Sequence, residues 1–297
     1  MSYETSRKKV LVVCTPDRGA LLYGNERPLE CLYRATVSPS LAIFQHQTMV
    51  QQVLSAPTNT KVLNLTPYLP ENLPVKIATN LVFVRDIYVN TPLGVWFGRL
   101  KEDARHYETQ IVQGIFQRLH IGTLGETTTG FLEGGDVCFC RPDLCFIGIN
   151  SRTNLEGANE FIQKTAVPGT TYAFVHCPGW IEDPSMYRIH LDCIFGMTGD
   201  TSCLLWTGAT TQRFVTEYQG RQNIPFGKYL VEKGFSVTMV SDNSQENYGC
   251  NTVLLDKNTL LVQEQESFNK VPEATHVLFS EIHKMYGGLH CATNWLG

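Results

Sequence analysis

Short β-branched apolar runs recur along the chain and alternate with longer amphipathic stretches. Val10 to Cys14, Leu81 to Val89, Val137 to Cys140 with Leu144 to Ile149, Cys203 to Trp206, Thr252 to Leu255 with Leu260 to Val262, and His276 to Phe279 read as strands. Arg141-Pro142-Asp143 and Asp256-Lys257-Asn258 carry turn chemistry, so the two close pairs predict hairpins. Ser40 to Leu54, Asp103 to Leu119, Leu155 to Ala166 and Thr211 to Gly234 read as helices. In the second of these, Ile111, Ile115, Phe116 and Leu119 share one face at helical spacing, which predicts packing against a sheet. Paired strands followed by single helices predict repeated ββα-type units, not the strict rhythm of a doubly wound sheet. No charge block, low-complexity tract or linker divides the sequence, so one domain over residues 1–297 is expected.

Composition narrows the class. The 297 residues are 43% apolar, enough for a sizeable core, and the 18% charged fraction is wrong for a disordered chain. Lys and Arg number 24 against 28 Asp and Glu, a net charge of −4 without a basic run, which argues against nucleic acid or an anionic membrane as partner. No apolar stretch approaches the roughly 18 residues that span a bilayer. The start offers about five apolar residues before Thr15, too few for a secretory leader. A cytoplasmic protein with a small-molecule partner is expected. The ten cysteines are scattered without a CxxC pair, and most read as reduced core residues.

Candidate chemistry sits where polar groups interrupt apolar patterns. Asp86 follows Arg85 inside a run that otherwise reads as a strand, and a buried carboxylate costs several kcal/mol unless paired or ligating. In Glu133-Gly134-Gly135-Asp136, two glycines let the backbone turn or approach another group closely between flanking carboxylates. If His190-Leu191-Asp192 is a strand, imidazole and carboxylate share a face. Two chemistries want that pair. One is a facial metal triad completed by His276, His283 or His290; the other is an acid/base histidine beside a substrate-binding carboxylate, with Cys291 as nucleophile. Cys291 lies in the glycine-rich segment Tyr286-Gly287-Gly288-Leu289-His290-Cys291, where a thiol can be exposed and its thiolate stabilised.

Taken together, the ordered segments resemble the guanidine-modifying enzymes, a superfamily of deiminases, dimethylarginine hydrolases and amidinotransferases. They are Asn80-Leu81-Val82-Phe83-Val84-Arg85-Asp86, Ala104-Arg105-His106-Tyr107-Glu108-Thr109, Glu133-Gly134-Gly135-Asp136, Gly148-Ile149-Asn150-Ser151-Arg152-Thr153-Asn154, His190-Leu191-Asp192 and Gly287-Gly288-Leu289-His290-Cys291. The resemblance begins at Lys8-Lys9-Val10-Leu11 and covers nearly the whole chain. It implies an α/β fold, a five-bladed α/β propeller (pentein) of ββαβ units with the site on its axis. It also implies Cys291 as nucleophile, His190 as acid/base, Glu133 orienting His190, and Asp86 and Asp192 holding the guanidinium. Arg105 and Arg152 would clamp the substrate α-carboxylate, and Asn80 and Asp136 would be further substrate-pocket residues. No cofactor or metal is implied, and a homo-oligomer stays open.

The substrate this implies is arginine, hydrolysed to citrulline and ammonia through an S-alkylthiouronium on Cys291. Two clamp arginines argue against agmatine. Dimethylarginine hydrolases share the absence of a separate helical domain, but they carry a lysine where Asp192 stands. Larger arginine deiminases have that helical domain before the Asn80 segment, where only 79 residues stand here, and some place an arginine where Tyr286 is. Methylarginine hydrolysis is the alternative, then protein-bound arginine or amidino transfer. From other classes, a non-haem iron oxygenase would use His190 and Asp192 alone, and a non-catalytic binding protein would use the fold without the chemistry.

Overall fold

Hairpins recur because each close pair of apolar runs is joined by residues that favour tight turns. After each hairpin come a helix and then a third strand, parallel to the hairpin's second strand. The computed structural model describes residues 10–176, 179, 185–271 and 273–297. Residues 1–9, which precede the short apolar run read as too brief for a leader, and Cys177 lie outside those residues. Among them, no helix is long and apolar enough to cross a membrane.

Strand β1 (Val10–Val13) runs parallel to β2 (Lys61–Asn64) after two helices, Arg18–Glu26 and Pro39–Ser55. Strands β3 (Tyr88–Thr91) and β4 (Gly94–Phe97) form a hairpin, helix Glu108–Arg118 crosses over, and β5 (Thr123–Glu126) returns parallel to β4. The same order repeats with β6 (Val137–Arg141), β7 (Leu144–Ile149), helix Leu155–Thr165 and β8 (Thr171–His176). It repeats again with β9 (Phe195–Met197) and β10 (Ser202–Trp206). There β11 (Phe214–Glu217) and β12 (Ile224–Pro225) extend the β8 edge before helix Phe226–Glu232 and β13 (Ser236–Val240), parallel to β10. The last unit is β14 (Val253–Asp256), β15 (Thr259–Val262), helix Gln265–Lys270 and β16 (Thr275–His276). Strand β17 (Asn294–Leu296) then pairs antiparallel with β1, so the two ends of the chain complete one three-stranded sheet. The result is a mixed α/β fold of five sheets.

Local chemistry explains the units. Asn154 caps helix Leu155–Thr165 by accepting the Gly157 N–H at 3.0 Å, and Ala158, Phe161 and Ile162 turn its apolar stripe onto the sheet. Strand β7 is buried along its whole length, as its unbroken apolar run requires. Of the expected stripe, Ile115 and Phe116 are buried in one cluster with Tyr88 and Phe97, Ile111 and Leu119 are partly buried against it, and Val112 joins the buried set.

Four expectations are corrected. Residues 81–87 are a buried chain of turns, held by bonds such as Phe83 N–H to the Asn80 carbonyl at 2.9 Å, and the strand begins only at Tyr88. Its apolar residues face surrounding units, so alternation is absent. Thr211 to Gly234 is two helices separated by β11 and β12, because Gly220 and Pro225 interrupt any single helix. His190-Leu191-Asp192 is not a strand: Leu191–Cys193 is one 3-10 turn. Of His276 to Phe279, only His276 is in a strand, with Thr275.

Candidate active site

The site forms where loops from separate units meet. The Glu133 segment approaches the Asp86 turn so closely that a Cβ on Gly134 would lie 2.1 Å from the Arg85 carbonyl oxygen. One on Gly135 would lie 2.8 Å from Asp86 Oδ1 and 3.0 Å from His190 Cγ. The two glycines therefore let Glu133, Asp86 and His190 come together. His190 Nε2 lies 2.7 Å from Glu133 Oε2, and His190 Nδ1 lies 3.6 Å from Asp86 Oδ1. Burial opposes charging His190, yet Asp86, Asp136 and Glu133 raise its pKa to about 10. Burial also opposes ionisation of Glu133, but Arg152 and His190 hold it down at about 2.

Arg105 is buried and heavily engaged. Its Nη1 donates to Asp86 Oδ2 at 2.6 Å, its Nη2 to Glu108 Oε2 at 2.8 Å and to the Phe83 carbonyl at 3.2 Å. Arg152 is buried but looser, with Glu102 at 3.6 Å and Glu133 at 3.8 Å. Asn80 donates to the Cys31 carbonyl at 3.0 Å. Asp136 accepts from the Leu191 N–H at 2.8 Å and from Asn150 Nδ2 at 2.6 Å, so it anchors the turn that carries His190 and Asp192.

Cys291 Sγ lies 3.7 Å from Asp192 Oδ2, and the same oxygen pairs with His290 Nδ1 at 2.8 Å. Cys291 is only 4% exposed, contrary to the expectation of an exposed loop cysteine. Gly287 and Gly288 serve close packing here: a Cβ on Gly287 would meet the Phe83 ring at 2.1 Å. Burial, reinforced by Asp192 and Asp86, holds the Cys291 thiol well above the ordinary thiol range. Asn80, Asp86, Arg105, Arg152, His190 and Cys291 line one cavity of about 20 Å³, room for a single water-sized molecule. Asp192 reaches Cys291 from beside it, whereas Asp136 is not in the lining.

Among the described residues, Asp86, Glu133 and His190 form the group whose donor atoms lie within 4.8 Å of one another. The triad of His190, Asp192 and a second histidine does not assemble that way, since His290 pairs with Asp192 and His283 is buried elsewhere beside Tyr248. The Asp86 cluster is already hydrogen-bonded within itself and to Arg105. Sequence reasoning missed Asn251, which touches Cys291, and Glu108, which balances Arg105. Glu108 had a signal, an acid three residues after a base at a helix start. Asn251 had only its position before an apolar strand.

A buried cysteine, a histidine paired with a carboxylate, and further carboxylates thus surround one buried cavity. Residues 25–296 match the model of the arginine deiminase family, and the chain belongs to that family, hydrolases of guanidino C–N bonds. Among solved structures, a dimethylarginine dimethylaminohydrolase variant bearing an S-methyl-L-thiocitrulline adduct matches with TM-score 0.75 and 17% identity, covering 97% of this chain and 100% of that one. The dimethylarginine dimethylaminohydrolase of Pseudomonas aeruginosa, as a mutant complexed with citrulline, gives 0.74 and 18%, covering 97% and 99%. The product-bound N-terminal domain of ArgZ, a cyanobacterial arginine dihydrolase, gives 0.73 and 15%, covering 97% of each chain. By sequence alone, no curated protein matches.

Proposed function

We propose that this protein is a single-domain cysteine hydrolase that converts free arginine to citrulline and ammonia, on a five-bladed propeller whose blades are the five sheets. The observation that carries the reading is Cys291 Sγ beside Asp192, at the cavity that also receives Asp86, His190 and Arg152. Asp192 and Asp86 offer carboxylate oxygens to guanidinium N–H groups; N-methylation removes or crowds those hydrogens, which favours arginine over methylarginines. Of the two clamp arginines, Arg152 has the looser contacts and is the better placed to receive an α-carboxylate. The cavity's small volume requires its rim, including Leu32, Met186 and Tyr286, to move as substrate enters.

The chemistry follows from the charges. A guanidinium between Asp86 and Asp192 offsets the two carboxylates that hold the Cys291 proton, so that proton passes to solvent and the thiolate attacks the guanidinium carbon. His190, carrying a proton at neutral pH, delivers it to the departing nitrogen as the C–N bond breaks, releasing ammonia and leaving an S-alkylthiouronium. Neutral His190 then takes a proton from water as oxygen bonds to carbon; the C–S bond breaks with its electron pair staying on sulfur, and the remaining hydroxyl proton passes to that sulfur, giving citrulline and the Cys291 thiol. A panel of arginine, methylarginines, agmatine and an arginine peptide, followed by ureido colour and ammonia release, tests this. Arginine is expected to lead, with Cys291→Ser inactive; turnover confined to methylarginines overturns the substrate, and an active Cys291→Ser overturns the nucleophile.

A further inference from the structure

Nothing in the proposed chemistry explains how a buried thiol flanked by carboxylates is aimed and kept competent to ionise. Asn251, fully buried and 40 residues before the cysteine, makes four contacts that bear on it. Its Oδ1 accepts the His290 N–H at 2.9 Å and the Cys291 N–H at 3.3 Å. Its Nδ2 donates to the Asp192 carbonyl at 3.2 Å and to Cys291 Sγ at 3.2 Å. These contacts fix the amide's orientation by chemistry. Two backbone N–H groups can only donate and a carbonyl can only accept, so the oxygen faces the Cys291 backbone and the NH₂ faces the sulfur.

We propose that Asn251 positions Cys291 and stabilises its thiolate by donating the Nδ2–H···Sγ hydrogen bond. The inference rests on the reading of Cys291 as nucleophile. The sulfur's other surroundings strengthen the need for a donor. Asp192 lies at 3.7 Å, Asp86 also raises the thiol pKa, and the uncharged Cys193 and Tyr248 are buried nearby. Of the positive groups nearby, His190, Arg105 and Arg152 are already drawn to carboxylates, and Arg85, whose Nε meets the His290 carbonyl at 3.4 Å, acts on Asp192. A guanidinium supplies charge only while it is bound; Asn251 supplies its hydrogen at every stage, including the step in which sulfur leaves carbon. Asn251 does not line the substrate cavity, so it acts on the sulfur and not on binding.

Replacing Asn251 by its isostere separates donation from scaffolding. Asn251→Asp keeps an oxygen for the His290 and Cys291 N–H groups and places an acceptor where the donor stood. Asn251→Ala removes the donor without adding a carboxylate, so a rise in both variants separates the lost hydrogen bond from the new charge, and it serves alone if the aspartate variant does not fold. Iodoacetamide labelling of Cys291, mapped by mass spectrometry across pH, reads the thiol directly. The labelling midpoint is expected to rise by about one pH unit or more, and kcat on the preferred guanidino substrate to fall about ten- to hundred-fold, with KM nearly unchanged. A folded Asn251→Asp protein with the wild-type midpoint and kcat overturns the proposal, as does a loss confined to KM. If wild type turns over no guanidino compound, the proposed function fails, while the labelling midpoint still decides the role of Asn251.

Discussion

Arg105 Nη1 lies 2.6 Å from Asp86 Oδ2, and the other carboxylate oxygen of Asp86 is buried without a hydrogen bond. The protein's own guanidinium thus occupies one side of this carboxylate and leaves Oδ1 facing His190 at 3.6 Å. An unpaired buried acceptor is costly, and a substrate N–H would satisfy it.

That pairing separates the two arginines. Arg105→Ala leaves Asp86 and Glu108 buried without their cation, and is expected to cost about 3 kcal/mol of stability, the lower end for a broken buried pair. Glu108, which burial raises to about 7 even beside Arg105, softens the loss by taking a proton. Arg152→Ala should destabilise clearly less and raise KM for arginine more than for agmatine. Urea denaturation and steady-state kinetics on both variants check this; equal stability losses, or equal KM effects on the two substrates, count against it.

The raised His190 pKa makes a stability prediction with a definite sign. Folded His190 titrates at about 10, above its ordinary 6.5, because carboxylates outweigh burial. A group raised in the folded state contributes fully below its unfolded pKa and loses that contribution as pH rises through the folded one. The stability difference between wild type and His190→Gln should therefore stay level up to pH 6.5 and shrink toward pH 10. Urea midpoints measured at intervals across that window would refute this if the difference grew.

Asp192→Asn keeps a side chain that can bond His290 but removes the charge beside Cys291. Turnover should fall about ten- to hundred-fold, the worth of a charge-assisted hydrogen bond, in a protein that remains folded. Normal turnover would make Asp192 a scaffold residue. Because the missing charge also lowers the thiol pKa, iodoacetamide labelling of Cys291 should move to lower pH in the same variant.

Chelation should leave activity intact. His190 Nε2 is committed to Glu133 and Asp86 Oδ2 to Arg105, so most of the cluster's donor atoms are already engaged by protons and a guanidinium. Dialysis against EDTA followed by assay checks it; activity lost and then restored by ferrous ion would return the oxygenase reading.

Local sequence determined the hairpins through their turn residues and the helices at 39–55 and 155–165 through proline, a capping asparagine and apolar spacing. The ordered motifs also pointed to Cys291, His190, Glu133, Asp86 and Asp192, which the fold brings to one place. Other features required packing between units. Residues 81–87 look like a strand because burial on every side erases alternation, the one local cue that would have argued otherwise. The pairing of Glu133 with His190, 57 residues apart, of Arg105 with Asp86, and of Asn251 with Cys291 depends on how separate sheets set their loops together. So does the burial that keeps Cys291 protonated. Periodicity and caps act over a few residues, whereas desolvation and charge pairing are properties of the space that distant segments enclose, and that space exists only once the five sheets are assembled.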